Sequence, residues 1–246
     1  MNDILLYPIG NTDAIRYAVS FLKNKGITLI DHPAPEVTHL LLDVPYFRPD
    51  GKLRSGEDLR FHLERLPPHV KVAGGNLAHP ELIEYATVDF LKHEPYLAKH
   101  AAITADCALQ VAASLLTTTY ADTPTLVIGW GRIGKCLARM LKALGCDVSV
   151  AARKEADRAM LQVLGYRTVN FEEPLFRYKL IFNTVPAPVF SREIADCRDC
   201  VKIDLASVDA LSGDDVIRAR GLPGTMAPES SGRLIAYTFL RYCKEV

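Results

Sequence analysis

The sequence predicts an α/β protein with a doubly wound parallel sheet, preceded by a smaller α/β domain. From about residue 124 onward, short apolar runs alternate with helical patterns. A glycine-rich turn, Gly129–Gly134, joins the first of these runs to a helix, and residues 1 to about 100 show the same alternation on a smaller scale. Strands that alternate with helices pair in parallel through right-handed crossovers, with helices on both faces of the sheet. The second half is therefore expected to be Rossmann-like and the first half flavodoxin-like.

The apolar runs of the second half give the expected order of strands and helices. The predicted strands are Thr125–Ile128, Val148–Ala152, Tyr166–Val169, Leu180–Asn183 and Val201–Leu205. The predicted helices are Ile133–Leu144, Lys154–Leu164, Glu172–Arg177 and Ser191–Cys197. Gly145 and Gly165 follow the first two helices, where glycine commonly ends a helix because it adopts a positive φ without strain.

The chain is expected to divide near residue 100. An N-terminal α/β domain covers residues 1–100, with strands in DILLYPI, ITLID, THLLLDVP and VKVAGG and a helix over Asp13–Lys25. The polar stretch YFRPDGKLRSGED is expected to be an exposed loop. The NAD(P)-binding domain covers residues 101–246. Within it, residues 101–120 form a linking helix, and residues 229–245 form a C-terminal helix that packs back on the N-terminal domain.

The composition is that of an ordinary globular protein and argues against two classes of partner. The chain carries 29 basic and 29 acidic side chains, so nothing favours binding to nucleic acid or to an anionic membrane. We expect no secretory leader, because Met1-Asn2-Asp3 is not a basic start, and no apolar run approaches the ~20 residues that span a bilayer. One CxxC motif occurs, Cys197–Cys200, but no histidine lies beyond His100 to complete a metal site. We expect a reduced, cytoplasmic protein without a bound metal.

A dinucleotide-binding turn is indicated by the GxGxxG segment Gly129-Trp130-Gly131-Arg132-Ile133-Gly134. It follows a predicted strand and opens a predicted helix, and this context gives the pattern its meaning. Gly129 permits a tight turn, Gly131 lets backbone N–H groups approach a pyrophosphate, and Gly134 lets the helix pack closely on the strand. The helix N-terminus offers N–H donors to the anion. Arg132 is a candidate phosphate contact, and Trp130 is expected mainly to pack. The alternative is a glycine-rich turn that binds nothing.

The end of the second strand favours NADP over NAD. An NAD site usually places Asp or Glu there, about 20 residues after the first glycine, to bind the ribose hydroxyls. This sequence has Ala152-Arg153-Lys154 instead, and the nearest acids lie before the strand or inside the next helix. Arginine pairs bidentately with a phosphate, and lysine adds a second positive charge. The expected cofactor is therefore NADP, with NAD as the alternative in which both basic side chains are merely solvated.

The loops after the later strands complete the expected cofactor site, because ligands of open α/β sheets bind at the carboxyl ends of the strands. The loop after the fourth strand contributes Asn183, Thr184, Val185 and Pro186 as cofactor-binding candidates. Ala206, after the fifth strand, and Met226, within GLPGTMAPESSGR, are two further cofactor-binding candidates. Asp204, which ends the fifth strand, is expected to be structural rather than catalytic.

These segments together resemble the dipicolinate synthase A-subunit family, cytoplasmic oxidoreductases of spore-forming bacteria. The resemblance is carried by VIGWGRIGKCLARMLKALGCDVSVAAR, IFNTVPA, KIDLAS and GLPGTMAPESSGRLIA, and more weakly by HLLLDVP, VKVAGGN and VDFLKHEPYLAKHAAITADCALQVA. It implies that 4-hydroxy-tetrahydrodipicolinate loses water and is oxidised by NAD(P)⁺ to the aromatic dicarboxylate, and that the partner is a second, flavoprotein-like B subunit. The N-terminal unit is shorter than that of the family. The stretch VDALSGDDVIRAR, where the family has a further strand, leaves room for a helix.

An oxidoreductase of this kind must hold two carboxylates and remove a proton. The candidates for carboxylate binding are Thr104, Ser207, Ser230, Ser231 and Arg233, and the candidates for proton removal are Asp106 and Glu229. The alternative roles are helix capping for Thr104 and Ser230, a solvated helix position for Arg233, and support of a helix start for Glu229. Dinucleotide enzymes of this size are often dimers, and a homodimer is expected.

Two other functions stay open. The first is an NAD(P)-binding regulatory or degenerate module without turnover, which the short N-terminal unit suggests. The second is a dehydrogenase of another small acid. A D-2-hydroxyacid dehydrogenase is disfavoured, because such enzymes place a catalytic histidine after the later strands and all seven histidines here lie in the first hundred residues.

Overall fold

The computed structural model describes residues 4–48, 52–54, 56, 58–170, 173–190, 194 and 197–244. The chain divides into two compact units. The first unit comprises residues 1–100 together with 223–246, and the second comprises residues 101–222. The C-terminal segment, which the sequence analysis places in the NAD(P)-binding domain, thus groups with the N-terminal residues.

Strands and helices alternate along both units. In chain order the strands are β1 Leu5–Ile9, β2 Thr28–Leu29, β3 His39–Leu42, β4 Lys71–Gly74, β5 Ala86–Asp89, β6 Thr125–Ile128, β7 Val148–Ala151, β8 Arg167–Val169, β9 Leu180–Asn183, β10 Val201–Asp204 and β11 Val216–Arg218. The helices are α1 Asp13–Asn24, α2 Leu59–Leu63, α3 Glu94–Ala113, α4 Arg132–Ala143, α5 Glu155–Val163, α6 Leu222–Met226 and α7 Pro228–Lys244. Short 3₁₀ helices cover Pro80–Leu82 and Phe90–Lys92.

The first unit is built on a parallel sheet with the order β2-β1-β3-β4-β5. This is the strand order of flavodoxin-like sheets. The apolar run of β3 is buried on both faces, as parallel strands covered by helices require. On one side α7 packs tightly against α1, since a Cβ at Gly232 would lie 2.5 Å from the Ala14 carbonyl oxygen and 2.6 Å from Tyr17 Cβ. Gly232 therefore allows the two helix backbones to approach closely.

The second unit contains a parallel sheet with the order β11-β10-β9-β6-β7-β8. The chain builds outward from β6 to β8, then returns to β9 on the other side of β6 and builds outward again. This is the doubly wound Rossmann order, and the predicted fold class is confirmed. The order reverses between β6 and β9, and this switch point is where open α/β sheets bind their ligands.

Three helices end at a glycine with the same pattern of hydrogen bonds. Gly26, Gly145 and Gly165 all have a positive φ, between 71° and 84°. The residue after Gly145 donates its backbone N–H to the Leu141 carbonyl oxygen at 3.0 Å, and the residue after Gly165 donates to Leu161 at 2.9 Å. These are Schellman contacts, which satisfy carbonyl groups that the helix end leaves unpaired. The expected C′ role of Gly145 and Gly165 is confirmed.

Several predicted elements differ from the structure. The short helix expected over Glu172–Arg177 is wrong, because residues 173–177 form bends and turns. The helix expected in VDALSGDDVIRAR is replaced by the edge strand β11. The loop expected to be exposed begins with Tyr46 and Phe47, which are buried in the core of the first unit. The helix expected over Ser191–Cys197 lies mostly outside the described residues.

The buried serine of β7 gives a test of the packing in the second unit. Ser149 is fully buried, and its hydroxyl has no hydrogen-bond partner among the described residues. An unsatisfied buried polar group costs about 1–3 kcal/mol. We therefore expect Ser149→Ala to raise the free energy of unfolding in denaturant titrations by up to about 1 kcal/mol.

The matched control is a satisfied hydroxyl on the neighbouring strand. Thr125 is also fully buried, donates its hydroxyl to the Thr123 carbonyl oxygen at 2.9 Å and accepts a bond from Cys146 Sγ at 3.1 Å. Thr125→Val preserves the volume and removes these bonds, so it should lower the free energy of unfolding by about 1–2 kcal/mol. Equal losses in the two variants would mean that the Ser149 hydroxyl is satisfied in solution.

Candidate cofactor and substrate site

Four strand ends lie side by side at the carboxyl edge of the second sheet. In the strand register, Ile128 of β6 pairs with both Ala151 of β7 and Asn183 of β9, and Asn183 pairs with Asp204 of β10. Four segments follow these strand ends. They are the glycine turn (Gly129–Gly134), the basic pair (Arg153 and Lys154), the loop after β9 that contains Pro186 (the proline loop), and the loop after β10. The sequence-predicted cofactor candidates of this unit therefore come together at one edge of the sheet.

The glycine turn is held against the loop after β9. Gly129 has φ of 104°, and its N–H donates to the Ala151 carbonyl oxygen at 2.8 Å. A Cβ at Gly129 would collide with the side chain of Thr184, and a Cβ at Gly134 would collide with the carbonyl oxygen of Gly129. The Thr184 hydroxyl donates to the Ile128 carbonyl oxygen at 2.8 Å. The first and third glycines thus permit close backbone packing, as the GxGxxG pattern predicts.

Gly131 differs from the other two glycines, because it faces open space. A Cβ built there meets no atom within 4 Å, and the residue is the N-cap of α4 without a side-chain cap. Arg132, at the first position of α4, is exposed, whereas Ile133 is half-buried beside it. Backbone N–H groups at a helix start bind phosphate well because their dipoles add to the positive end of the helix. The residues present therefore fit a dinucleotide pyrophosphate.

Trp130 packs within the second unit. Its ring makes an edge contact with Tyr166, with 5.8 Å between ring centroids, and Lys135 Nζ lies 5.8 Å from the indole centroid. Burial raises the pKa of the Tyr166 phenol, which stays protonated at neutral pH. The indole is half-buried, so it is a natural fluorescence reporter for the turn.

The basic pair follows β7 in an ordered turn. Arg153 and Lys154 are both exposed, and Lys154 is the N-cap of α5. Arg158 donates to the carbonyl oxygens of Ala152 at 3.0 Å and Arg153 at 2.7 Å, which fixes the backbone of this turn. No acidic residue occupies the strand end, so the electrostatic condition for a 2′-phosphate is met.

The side chain of Asn183 holds the proline loop rather than facing solvent. It is fully buried, and its amide nitrogen donates to the Val185 carbonyl oxygen at 3.0 Å and to Asp204 Oδ1 at 2.8 Å. Its amide oxygen accepts from the Val185 N–H at 3.1 Å. Asn183 therefore holds the backbone of the loop, and Pro186, Ala187 and Pro188 form its exposed surface.

Asp204 organises the loop after β10. Its buried carboxylate accepts from Asn183 and from the backbone N–H groups of Ala206, Ala210 and Leu211, at 2.8–3.2 Å. A buried carboxylate with this many donors is structural, as expected for Asp204. Ala206 is buried in the loop, whereas Ser207, the next residue, is exposed.

Two of the substrate-site candidates lie on α3 in the second unit. Thr104 is buried well inside the helix, so its alternative role as a helix cap is wrong. Asp106 is exposed, and its carboxylate accepts from Gln110 Nε2 at 2.8 Å, one turn further along.

The remaining candidates lie in the first unit, around the start of α7. Ser231 donates its backbone N–H to Ala227 and its hydroxyl to the Pro223 carbonyl oxygen at 3.0 Å, so this hydroxyl stabilises the preceding turn. Ser230 is exposed within the first turn of the helix, so it is not the N-cap that the sequence offered as its alternative role. Glu229 and Arg233 form an exposed ion pair of 2.7 Å, and Met226 ends α6 with 39% of its surface exposed.

Sequence reasoning missed a buried acid at the carboxyl edge of the first sheet. Asp43 follows β3, is 1% exposed, and accepts from the Thr12 hydroxyl and the Asn11 N–H. Burial raises the pKa of this carboxyl, and the two hydrogen bonds oppose the shift. A Cβ at Gly10 would collide with the Asp43 carboxylate, so the two segments are closely packed. The signal available in the sequence was an acid directly after an apolar strand.

Thiol and metal chemistry find little support in the described part of the chain. The six cysteines are free, and burial raises the pKa of Cys136, Cys146 and Cys200, the last to about 12. Among the described residues, no group of three or more His, Cys, Asp or Glu side chains is arranged around a metal position. None of the described helices is both long and apolar enough to cross a membrane.

Comparison with known proteins agrees with the cofactor site. The family model for the NAD-binding domain of D-isomer specific 2-hydroxyacid dehydrogenases matches residues 108–198, which include the glycine turn, the basic pair and the proline loop. The A subunit of dipicolinate synthase from Bacillus subtilis is 25% identical over 203 residues, covering 75% of this chain and 68% of that protein. The resemblance seen in the sequence is thus confirmed, and the chain is an NAD(P)-dependent oxidoreductase.

Solved structures share the fold over the whole chain. The structure of the same Bacillus subtilis protein has a TM-score of 0.81 at 18% identity, covering 100% of this chain and 97% of that one. The A subunit of dipicolinate synthase from Bacillus halodurans has a TM-score of 0.77 at 21% identity, covering 98% of each chain. At these identities the similarity shows the fold.

Proposed function

We propose that this chain is an oxidoreductase like the A subunit of dipicolinate synthase. In this proposal the cyclic dicarboxylate 4-hydroxy-tetrahydrodipicolinate loses water, and NADP⁺ takes a hydride from it to give dipicolinate. The main support is the similarity to that protein, which extends over 75% of the chain rather than over the cofactor domain alone. The choice of NADP rests on Arg153 and Lys154 at the end of β7, where no acid is present.

The bound nicotinamide would supply the acceptor for the hydride that oxidation of the ring releases. The chain's residues have three tasks around it. The backbone of Gly129–Gly134 would hold the pyrophosphate, with Arg132 as a phosphate contact, and Asn183–Pro186, Ala206 and Met226 are proposed as further cofactor-binding residues. Thr104, Ser207, Ser230 and Arg233 are proposed to bind substrate carboxylates, and Asp106 and Glu229 to accept the proton. Ser231 is the weakest member of this set because its hydroxyl is already bonded to Pro223.

We also propose a cytoplasmic homodimer that works with a flavoprotein-like B subunit. The similar protein from Bacillus subtilis is itself named as one subunit of its enzyme, which supports a partner chain.

The decisive experiment supplies the unstable substrate in place. Aspartate semialdehyde and pyruvate are condensed enzymatically with this protein and NADP⁺ present, and dipicolinate and NADPH are measured with and without the flavoprotein-like partner. Equal amounts of both products are expected. Asp106→Asn or Glu229→Gln, whichever is the base, should lower kcat by about 10²–10⁴-fold with the cofactor affinity unchanged. Tight cofactor binding without turnover, with or without that partner, would favour the regulatory module.

A further inference from the structure

Two arginines lie at the carboxyl edge of the second sheet and have no role in the site described so far. Arg218 ends β11 and pairs in register with Asp204, the end of β10. The N–H of Ala219 donates to the Asp204 carbonyl oxygen at 2.9 Å, which continues this pairing beyond the strand. Arg220 Nε donates to the Ala206 carbonyl oxygen at 3.1 Å. Both arginines thus stand beside the loop that carries the exposed Ser207.

One carboxylate holds both guanidinium groups in place. Arg218 Nε lies 2.9 Å from Asp209 Oδ1, and Arg220 Nη2 lies 2.5 Å from the same oxygen. The three side chains are 46%, 42% and 58% exposed, so a ligand can reach them. Two positive charges face one negative charge on this surface. Asp204, whose strand end pairs with Arg218, is buried, and its carboxylate is enclosed by N–H donors.

Each guanidinium keeps N–H donors that the described residues leave unused. Arginine carries five N–H donors in a planar fork. Within the described part of the chain, Arg218 uses only Nε, which leaves both terminal nitrogens, and Arg220 leaves Nη1. Planar forks of this kind bind carboxylates bidentately and are well suited to sites where the ligand must be oriented.

We propose that Arg218 and Arg220 form the subsite for one carboxylate of the substrate, with the Ser207 hydroxyl beside it and Asp209 fixing their orientation. The inference rests on the proposed function, because it takes the substrate to be a dicarboxylate. A cofactor phosphate is the less suitable occupant. The arginines stand at the β10 and β11 ends, on one side of the switch point between β6 and β9, whereas the basic pair that fits a 2′-phosphate follows β7 on the other side.

The test is binding of the proposed product, pyridine-2,6-dicarboxylate, to the full-length chain saturated with NADPH, measured by calorimetry. Losing a charge-assisted contact of about 1.5–3 kcal/mol corresponds to about a 10- to 100-fold loss of affinity. We expect Arg218→Gln and Arg220→Gln each to lower the affinity for the dicarboxylate by that factor. The neutral pyridine-2,6-dicarboxamide should bind weakly and equally to the wild type and both variants.

Arg167→Gln is the matched control, because it removes the same charge from an exposed position at the other, amino edge of the sheet. It should change dicarboxylate affinity less than twofold. NADPH affinity, read from Trp130 emission, should stay the same in all three variants and shows that they are folded. Among the described residues, the Arg218 side chain forms no hydrogen bond to the loop backbone, so Arg218→Gln tests the subsite even if Arg220→Gln disturbs the loop.

The outcomes separate the two claims. If the wild type binds the dicarboxylate and both arginine variants bind it equally well, the subsite is wrong and the proposed function stands. A variant that loses NADPH affinity but keeps dicarboxylate affinity would assign the arginines to the cofactor and would also overturn the subsite. If the wild type binds NADPH but no dicarboxylate, both the proposed substrate and the proposed subsite are wrong.

Discussion

Adding a single methyl group at Gly131 or at Gly134 is expected to cause two different failures. Gly131→Ala should lower the affinity for both NADPH and NADH by about 100-fold, the loss expected when a Cβ displaces one or two charge-assisted N–H contacts to the pyrophosphate. Its melting temperature should stay the same or rise slightly. The φ of Gly131 is −79° and no atom lies within 4 Å of the new Cβ, so replacing glycine there only restricts the unfolded chain.

Gly134→Ala should instead lower the stability of the folded protein rather than remove a contact with the cofactor. The added Cβ would collide with the Gly129 carbonyl oxygen, and the helix start cannot move away without breaking the contact of the turn with Thr184. Overpacking of this kind costs about 3 kcal/mol, which lowers the melting temperature of a chain of this length by roughly 6–12 °C. Calorimetric melting and cofactor titration of both variants separate the two effects.

Each of these two predictions has a result that would contradict it. Wild-type affinity in Gly131→Ala would mean that no pyrophosphate approaches this glycine. An unchanged melting temperature in Gly134→Ala would mean that α4 shifts freely on β6, which the buried contacts of Leu137 and Leu141 on the same helix argue against.

The cofactor half of the site could be predicted from the sequence because it is local. The strand, the turn and the helix lie within about thirty residues of a βαβ unit, and each glycine has one mechanical task. The terminating glycines were readable for the same reason, since a C′ residue depends only on the helix before it. The edge strand β11 could not be predicted, because its three residues carry a mixed burial pattern and follow a polar stretch.

The substrate half depends on contacts that the sequence does not display. Asn183 reads as a loop residue that could face a ligand, and only the structure shows its amide bonded to Asp204, 21 residues away. Glu229 reads as a free carboxylate, and the structure pairs it with Arg233. Nothing in the sequence singles out Arg218 and Arg220, and only the structure shows that Asp209, about ten residues earlier, aligns them. Such partnerships are set by loop geometry, which local propensity does not determine.

The preference between the two cofactors gives the second large expected effect. We expect NADPH to bind about 10- to 100-fold more tightly than NADH, because a guanidinium–phosphate contact contributes about 1.5–3 kcal/mol. Arg153→Ala should remove most of this preference by weakening NADPH alone, and Lys154→Ala should remove less, since lysine acts as a point charge without a bidentate fork. The readout is quenching of Trp130, the only tryptophan, which lies in the phosphate turn itself.

Arg153→Ala should change the contact with the cofactor without disturbing the turn that carries Arg153. The turn that carries Arg153 is held through its backbone by Arg158, so truncating the Arg153 side chain leaves those hydrogen bonds in place. Arg167→Ala, at the amino end of β8, again serves as the charge control and should leave both affinities unchanged. Equal affinities for NADPH and NADH in the wild type would mean that Arg153 and Lys154 are solvated and that the predicted preference for NADP is wrong. A preference that survives Arg153→Ala would place the 2′-phosphate on another residue, with Arg132 the first to examine because it lies at the start of α4 on the adjoining turn.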